Sequence, residues 1–162
     1  MNIDPNIIKL LKDAGCRQNV INHCIAVCNL SLVFAKNAPV DIKLVKTGAL
    51  LHDIGRSKTH SLAHGQIGAD ICRDLGIPEN VCLIVERHIG AGLTAEECAK
   101  EGLKSIDCIP KSLEEKIVAH SDNLIKGTEE ISLKIRLELS KDLPGEIKER
   151  IVKLAEEIEI YR

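Results

Sequence analysis

Five segments whose apolar residues recur at helical spacing carry a titratable side chain on the apolar stripe itself. His23 lies between Val20 and Val27, and His52 extends a stripe through Val45 and Ala49 with Asp53 beside it. His64 leads into Ile67, Ile71 and Leu75, His88 closes the stripe Val81, Ile84, Val85, and Asp122 sits among Val118, Ala119 and Ile125. Side chains three or four positions apart share a helix face, so each of these groups is drawn inward with its apolar neighbours. An unsatisfied buried polar group costs about 1–3 kcal/mol, and an isolated carboxylate far more. One such histidine is ordinarily a satisfied core residue. Five helices each burying one alone would multiply the cost, and convergence on a shared cation removes it. Four imidazoles and two carboxylates form a mixed nitrogen and oxygen donor set, suited to Mn, Fe, Co, Ni or Zn and unlike the all-oxygen shells of Ca and Mg. The pattern therefore predicts a divalent transition-metal site.

The rest of the chain reads as helix between breakers, over about 5–14, 17–37, 41–54, 64–75, 78–89, 94–101, 112–126 and 145–160. Thr94 with Glu97 and Ser112 with Glu115 have capping-box spacing, Pro78 fits a first helical position, and Gly15, Gly76 and Gly102 stand where helices should stop. One segment has a different period. Ile131, Leu133, Ile135, Leu137 and Leu139 alternate with polar residues as a half-buried strand does. No partner strand is visible for it, and a strand alone leaves its backbone groups unbonded, so this segment is expected to be helical as well. With 162 residues against a prior of roughly 150 per domain, a single domain over 1–162 is expected. Its metal-binding core covers about 17–126, followed by a helical extension over about 127–162.

Composition removes several function classes. Hydrophobic residues make up 44% and charged ones 28%, as in an ordinary globular protein. The net charge of −2 gives no basic field for binding nucleic acid by bulk charge. One Phe, one Tyr and no Trp leave no aromatic platform for stacking bases, and make the core aliphatic. Eighteen residues free of Lys, Arg, Asp and Glu separate Arg17 from Lys36, near the minimum for a membrane span, but Gln18, Asn19, Asn22, His23, Asn29 and Ser31 interrupt them. That segment is expected to be a core helix, and no membrane partner is expected. Seven cysteines, an odd number with no Cys-x-x-Cys pair, and no leader pattern suggest buried thiols and a cytoplasmic protein. No P-loop, nucleophile-elbow or His-Glu-x-x-His motif occurs.

The ordered set His23, then His52-Asp53-Ile54-Gly55, then His64, His88 and Asp122 resembles the HD superfamily of metal-dependent phosphohydrolases, in the subgroup that carries the His-Asp-Ile-Gly tetrapeptide. The likeness is to small archaeal members and, more distantly, to bacterial enzymes that hydrolyse diadenosine tetraphosphate. It implies an all-α fold, a single compact helical bundle of about eight or nine helices. It implies that one metal is held by His23, His52, Asp53 and Asp122. His64 and His88 match the extra histidines of members with two metals, where Asp53 bridges the ions, and iron or manganese comes before Zn, Co or Ni. The chain departs from the pattern at Arg56, where Lys is commoner, and it lacks the Gly-Tyr-Pro triplet of the cyclic-di-GMP phosphodiesterase branch.

The expected function is a metal-dependent phosphohydrolase in which metal-activated hydroxide attacks phosphorus of a small phosphorylated molecule, a nucleotide or dinucleoside polyphosphate. Asp53 would bridge the metals and orient the nucleophile. Arg56, Lys58 and His60 follow the tetrapeptide and are expected near the metal mouth as phosphate partners, with Arg87 a further candidate. Gly90-Ala91-Gly92 offers backbone for close approach to substrate, or simply a turn. His60 lies four residues from His64, so either can be the ligand, whereas His120, two residues before Asp122, points the other way. The alternatives are a non-catalytic regulatory or scaffolding module that binds a ligand or partner, and a metal that only holds the bundle together. The stripe Ile147, Ile151, Leu154, Ile158 suits packing on the bundle or on a second subunit in a homodimer.

Overall fold

The computed structural model describes residues 3–162, among which nine α-helices form: α1 (Pro5–Ala14), α2 (Gln18–Ala35), α3 (Ile42–Leu51), α4 (His64–Asp74), α5 (Glu79–Glu86), α6 (Ala95–Lys100), α7 (Leu113–Asn123), α8 (Leu133–Leu139) and α9 (Gly145–Ile158). Short 3-10 turns cover Ile54–Ser57 and Glu159–Tyr161. The fold is all-α, as expected, with one addition that the periodicity did not show. β1 (Ile125–Lys126) and β2 (Glu129–Glu130) form an antiparallel two-residue ladder, Ile125 opposite Glu130 and Lys126 opposite Glu129.

Local chemistry sets most helix ends. Asp4, Asp41, Thr94, Ser112 and Ser132 each accept a backbone N–H of the helix they precede. Gly15 stops α1 in the left-handed conformation at φ 98°. Thr94 and Glu97 complete a reciprocal capping box. At α7 only half of the box forms, because the Glu115 carboxylate takes the Lys111 N–H at 2.7 Å and the Arg87 guanidinium at 3.1 Å instead. Pro78 precedes α5 as its cap rather than opening it.

The segment of alternating residues is the helix α8. Leu133 and Leu137, four apart, pack against the core, while Ile135 and Leu139 stay exposed, so the period-two pattern combined one buried face with two solvent positions. α2 is the one helix among the described residues long and apolar enough to cross a membrane, and it lies inside the bundle with Cys24, Val27, Cys28 and Phe34 fully buried. Two apolar clusters flank it. The larger joins Val27 and Phe34 of α2, Val45 and Leu50 of α3, Ile84 of α5, Ile117 and Val118 of α7, and Ile151 and Ile158 of α9. The smaller packs Leu11 of α1 on Ile21, Leu51, Ile54, Cys72, Val81 and Val85. Each large side chain so buried contributes about 1.5–3 kcal/mol. The α9 stripe is thus covered by the protein's own bundle.

All seven cysteines are buried and free, and burial pushes the Cys72 and Cys108 thiols up to about 12. Arg150 fastens α9 to the turn before α6, donating to the Gly92 carbonyl at 2.8 Å and to both Glu97 oxygens at 3.0 and 2.8 Å. The guanidinium holds the Glu97 carboxyl down at about 2 against an ordinary 4.5. A depressed folded-state pKa stabilises above the ordinary value and loses that contribution as pH falls through the folded one. Glu97→Gln should therefore cost about 1–3 kcal/mol at neutral pH, and the gap to the parent should close between pH 4.5 and 2 in urea melts. A gap that stays constant with pH would refute the assignment.

Candidate metal centre

Five of the six side chains singled out above lie at helix ends, and only His23 is held mid-helix. His52 is the residue at which α3 stops, Asp53 follows it, His64 opens α4, His88 lies two residues past α5, and Asp122 is in the last turn of α7. The helices around His52 and His88 are shorter than their periodicity suggests. The reason lies in the imidazoles, which donate Nδ1–H to carbonyls three residues back, His52 to Ala49 at 2.7 Å and His88 to Val85 at 2.6 Å, and so satisfy groups that the next helical turn would have used. His64 does the same with the Ser61 carbonyl at 2.7 Å, ahead of α4. His23 donates to the Gly127 carbonyl at 2.8 Å, in the β1–β2 turn.

A carbonyl only accepts, so every Nδ1 carries a proton and every Nε2 turns inward. Asp122 Oδ1 lies 2.9 Å from His23 Nε2 and 3.5 Å from His52 Nε2. Asp53 is shared between two groups: Oδ2 is 3.9 Å from His23 Nε2 and 3.8 Å from His52 Nε2, and Oδ1 is 3.2 Å from His64 Nε2 and 3.5 Å from His88 Nε2. His64 Nε2 and His88 Nε2 face each other at 3.1 Å. Burial alone would raise both carboxyls, yet His52, His64 and His88 around Asp53, and His23 and His52 around Asp122, hold them well below the usual range. They are ionised acceptors.

Six ligating groups thus converge: burial opposes charge on His52, yet Asp53 and Asp122 raise its pKa well above the ordinary value, so in the bare protein a proton stands where a cation would, and His52 Nε2 and Asp53 Oδ1 are buried with no hydrogen-bond partner. Two overlapping sets, His23 with His52 and Asp122, and His52 with Asp53 and His88, bring their ligating atoms within 4.8 Å of one another. Nitrogen and carboxylate donors oriented by backbone carbonyls are the chemistry that a divalent transition metal takes, so the residues present fit such an ion.

His23 and Asp122 are the partly exposed members, and His23 opens onto a cavity of about 420 Å³ lined also by Asn19, Asn22, Asp53, Arg56, His60 and Thr128. Arg56 donates Nε–H to Asp53 Oδ2 at 2.8 Å. His60 is exposed at this mouth, and His64, not His60, reaches Asp53. Lys58 does not share the mouth. It lines a separate groove between α1 and α4 with Asn6, Lys9, Asp13 and Leu75, because the 3-10 turn carries it past Arg56 to the other side. Arg87 is also elsewhere, tying α5 to α7 through Glu115. The glycines at 90 and 92 serve a turn: a Cβ at Gly92 would stand 2.5 Å from the Cys108 carbonyl, and the Gly90 carbonyl accepts from Asn123. His120 points away from Asp122, buried against Phe34 and bonded to Glu159 at 2.9 Å.

The tetrapeptide glycine has a packing role. A Cβ on Gly55 would stand 1.9 Å from the His64 carbonyl and 2.8 Å from the Gly68 nitrogen, so only glycine lets the turn carrying Asp53 lie on the start of α4. Asn19, one turn before His23 on the same helix face, could have been found by spacing. The Gly127 carbonyl could not, since a backbone acceptor has no side-chain signature.

The HD domain family model matches residues 20–127. An uncharacterized protein of Methanocaldococcus jannaschii is 47% identical over 161 residues, covering 93% of this chain and 94% of its own. A tRNA (cytidine(56)-2'-O)-methyltransferase of Thermoplasma volcanium is 44% identical over 130 residues, 80% of this chain, but the match spans only 38% of that enzyme. Among solved structures, the HD domain of the L. monocytogenes phosphodiesterase PgpH in complex with cyclic-di-AMP superposes with a TM-score of 0.58 at 19% identity over 98% of each chain.

Chelated protein supplied with Mn or Fe at about a hundredfold over its dissociation constant should gain about 2.7 kcal/mol per site, which is several degrees in Tm for a chain of this size. An unchanged Tm would mean that the cluster binds no cation. Gly55→Ala should lower Tm and metal content together, and a variant with full metal occupancy would refute the close-approach role.

Proposed function

This chain belongs to the HD-domain family, and on that premise we propose that it is a metal-dependent phosphohydrolase acting on a small phosphorylated molecule, a nucleotide or dinucleoside polyphosphate. The observation that carries the reading is the convergence of four inward Nε2 atoms and two ionised carboxylates, of which His23 and Asp53 line an open cavity. His23, His52, Asp53 and Asp122 would hold one ion, and His64 and His88 with Asp53 a second, iron or manganese first. A bound divalent cation there lowers the pKa of a coordinated water towards about 7 and polarises phosphoryl oxygens.

The protein's own groups supply the rest. Asp53 stays ionised and offers one oxygen to each group of histidines, so its orientation fixes both ends of the cluster. Arg56 keeps that carboxylate in place through Nε, and the remaining N–H groups of its fork are those that recognise phosphate. His60 stands exposed at the same mouth as a second hydrogen-bonding partner for anionic oxygens. Asn19, Asn22 and Thr128 offer amides and a hydroxyl to a sugar or to base edges, in a wall without an aromatic ring other than imidazole. A nucleotide-derived substrate is supported by two likenesses: a relative that contains this domain is named for methylating tRNA, and the PgpH neighbour is in complex with cyclic-di-AMP. The seven free, buried thiols suit a reducing cytoplasm.

Phosphate release from nucleotides and dinucleoside polyphosphates, assayed with each metal after elemental analysis of the purified protein, tests the reading. Asp53→Ala should abolish turnover, and Arg56→Ala should lower kcat/KM by about 10²–10³-fold. Metal-dependent release that is the same in Asp53→Ala as in the parent, or no release from any substrate by metal-loaded protein, would overturn it.

A further inference from the structure

Three of the four cluster histidines find their orienting carbonyl three residues back in their own segment, and His23 finds it 104 residues away. That acceptor, the Gly127 carbonyl, belongs to the two-residue turn Gly127-Thr128 between β1 and β2. Gly127 has φ 63° and Thr128 does not have positive φ. This sign pattern in a two-residue hairpin is that of a type II′ turn, with glycine at the first central position. Types II′ and I′ join strands in the same register and differ by a flip of the central peptide. Here that peptide consists of the Gly127 carbonyl and the Thr128 N–H.

We infer that the β1–β2 hairpin is a positioning element of the metal centre, and that the type II′ turn selects the ligating tautomer of His23 through the Gly127 carbonyl. Mid-helix His23 has no local carbonyl to use, since those of α2 are taken by the helix itself. With the carbonyl facing Nδ1, a proton stays there, and Nε2, 2.9 Å from Asp122 Oδ1, is the atom that can exchange its own proton for a cation. A flipped peptide would present the Thr128 N–H to Nδ1, move the proton to Nε2, and close that atom to a cation. The hairpin is in turn held from the C-terminal side: the Ile131 N–H bonds the Leu124 carbonyl at 2.8 Å, and Glu130 pairs with Arg162 at 3.0 Å. The chain beyond 127, which contributes none of the six ligand side chains, thereby acts on the site.

The double substitution Gly127→Asn, Thr128→Gly installs the residue pair favoured by the type I′ turn, keeping the hairpin while reversing its central peptide. Long-range ¹⁵N–¹H spectra of the imidazoles, recorded on the zinc-loaded protein so that a cation rather than a proton faces Asp122, should show His23 protonated at Nδ1 in the parent and at Nε2 in the variant, with the other three unchanged. Transition metal bound per chain at equal supply should fall by one equivalent, with circular dichroism unchanged. A parent in which His23 carries its proton on Nε2 overturns the inference without any variant. A folded variant that keeps the Nδ1 proton, or that keeps the parent's metal complement, overturns it as well. The inference shares the metal reading above but not the reaction: the tautomer result stands or falls independently of any phosphate release.

Discussion

Four Nδ1–H to carbonyl hydrogen bonds govern both the fold around the cluster and its chemistry. Each commits an imidazole proton outward and turns Nε2 towards the two carboxylates. Two of the same bonds take terminal carbonyls of α3 and α5, so the residues that end those helices also point into the site. Side chains inside a continuous helix would have spread along its face. Side chains at helix ends, where the backbone turns, can converge from α3, α4, α5 and α7 on one point.

Convergence has an electrostatic cost in the bare protein, and the structure offsets part of it with a cation of its own. Arg56 lies against Asp53 Oδ2, on the oxygen shared with His23 and His52. The other oxygen, facing His64 and His88, has no donor. A rigid frame keeps the two carboxylates and four imidazoles together, and the two apolar clusters on either side of α2 supply it. The Gly55–Gly68 approach then sets how near the turn bearing Asp53 comes to α4. Burial energy is spread over many aliphatic side chains, while the position of the carboxylate depends on two missing methyl groups.

The sequence disclosed what the hydrophobic stripe disclosed. His23, His52, His64, His88 and Asp122 stand out because they interrupt that stripe, and the structure brings all of them together with Asp53. It disclosed less where spacing along the chain was taken for proximity in space. Lys58 and Arg87 are neighbours of site residues in sequence, but a 3-10 turn and the Glu115 ion pair take them elsewhere. The alternation over 131–139 resembles a strand because exposed Ile135 and Leu139 mimic a buried strand face, and the lack of a partner strand is what points to the helix that forms there. The small hairpin was invisible for another reason. Two residues per strand carry no periodicity, and its contribution is a backbone carbonyl that no residue type announces.

The two ends of the cluster are unequal in a way that bears on how such a site works. His64 and His88 are buried, and they face the Asp53 oxygen that lacks a donor. His23 and Asp122 are partly exposed, and His23 lines the cavity with Arg56 and His60. Burial strengthens electrostatic interactions and excludes water, so the inner end is suited to hold charge firmly, and the outer end to exchange groups with solvent. Asp53 spans both, one oxygen to each. The outer end is also the end whose histidine is oriented by the hairpin rather than by its own helix. The part of the site that opens to solvent therefore depends on the most distant piece of backbone, and the enclosed part is fixed by local turns.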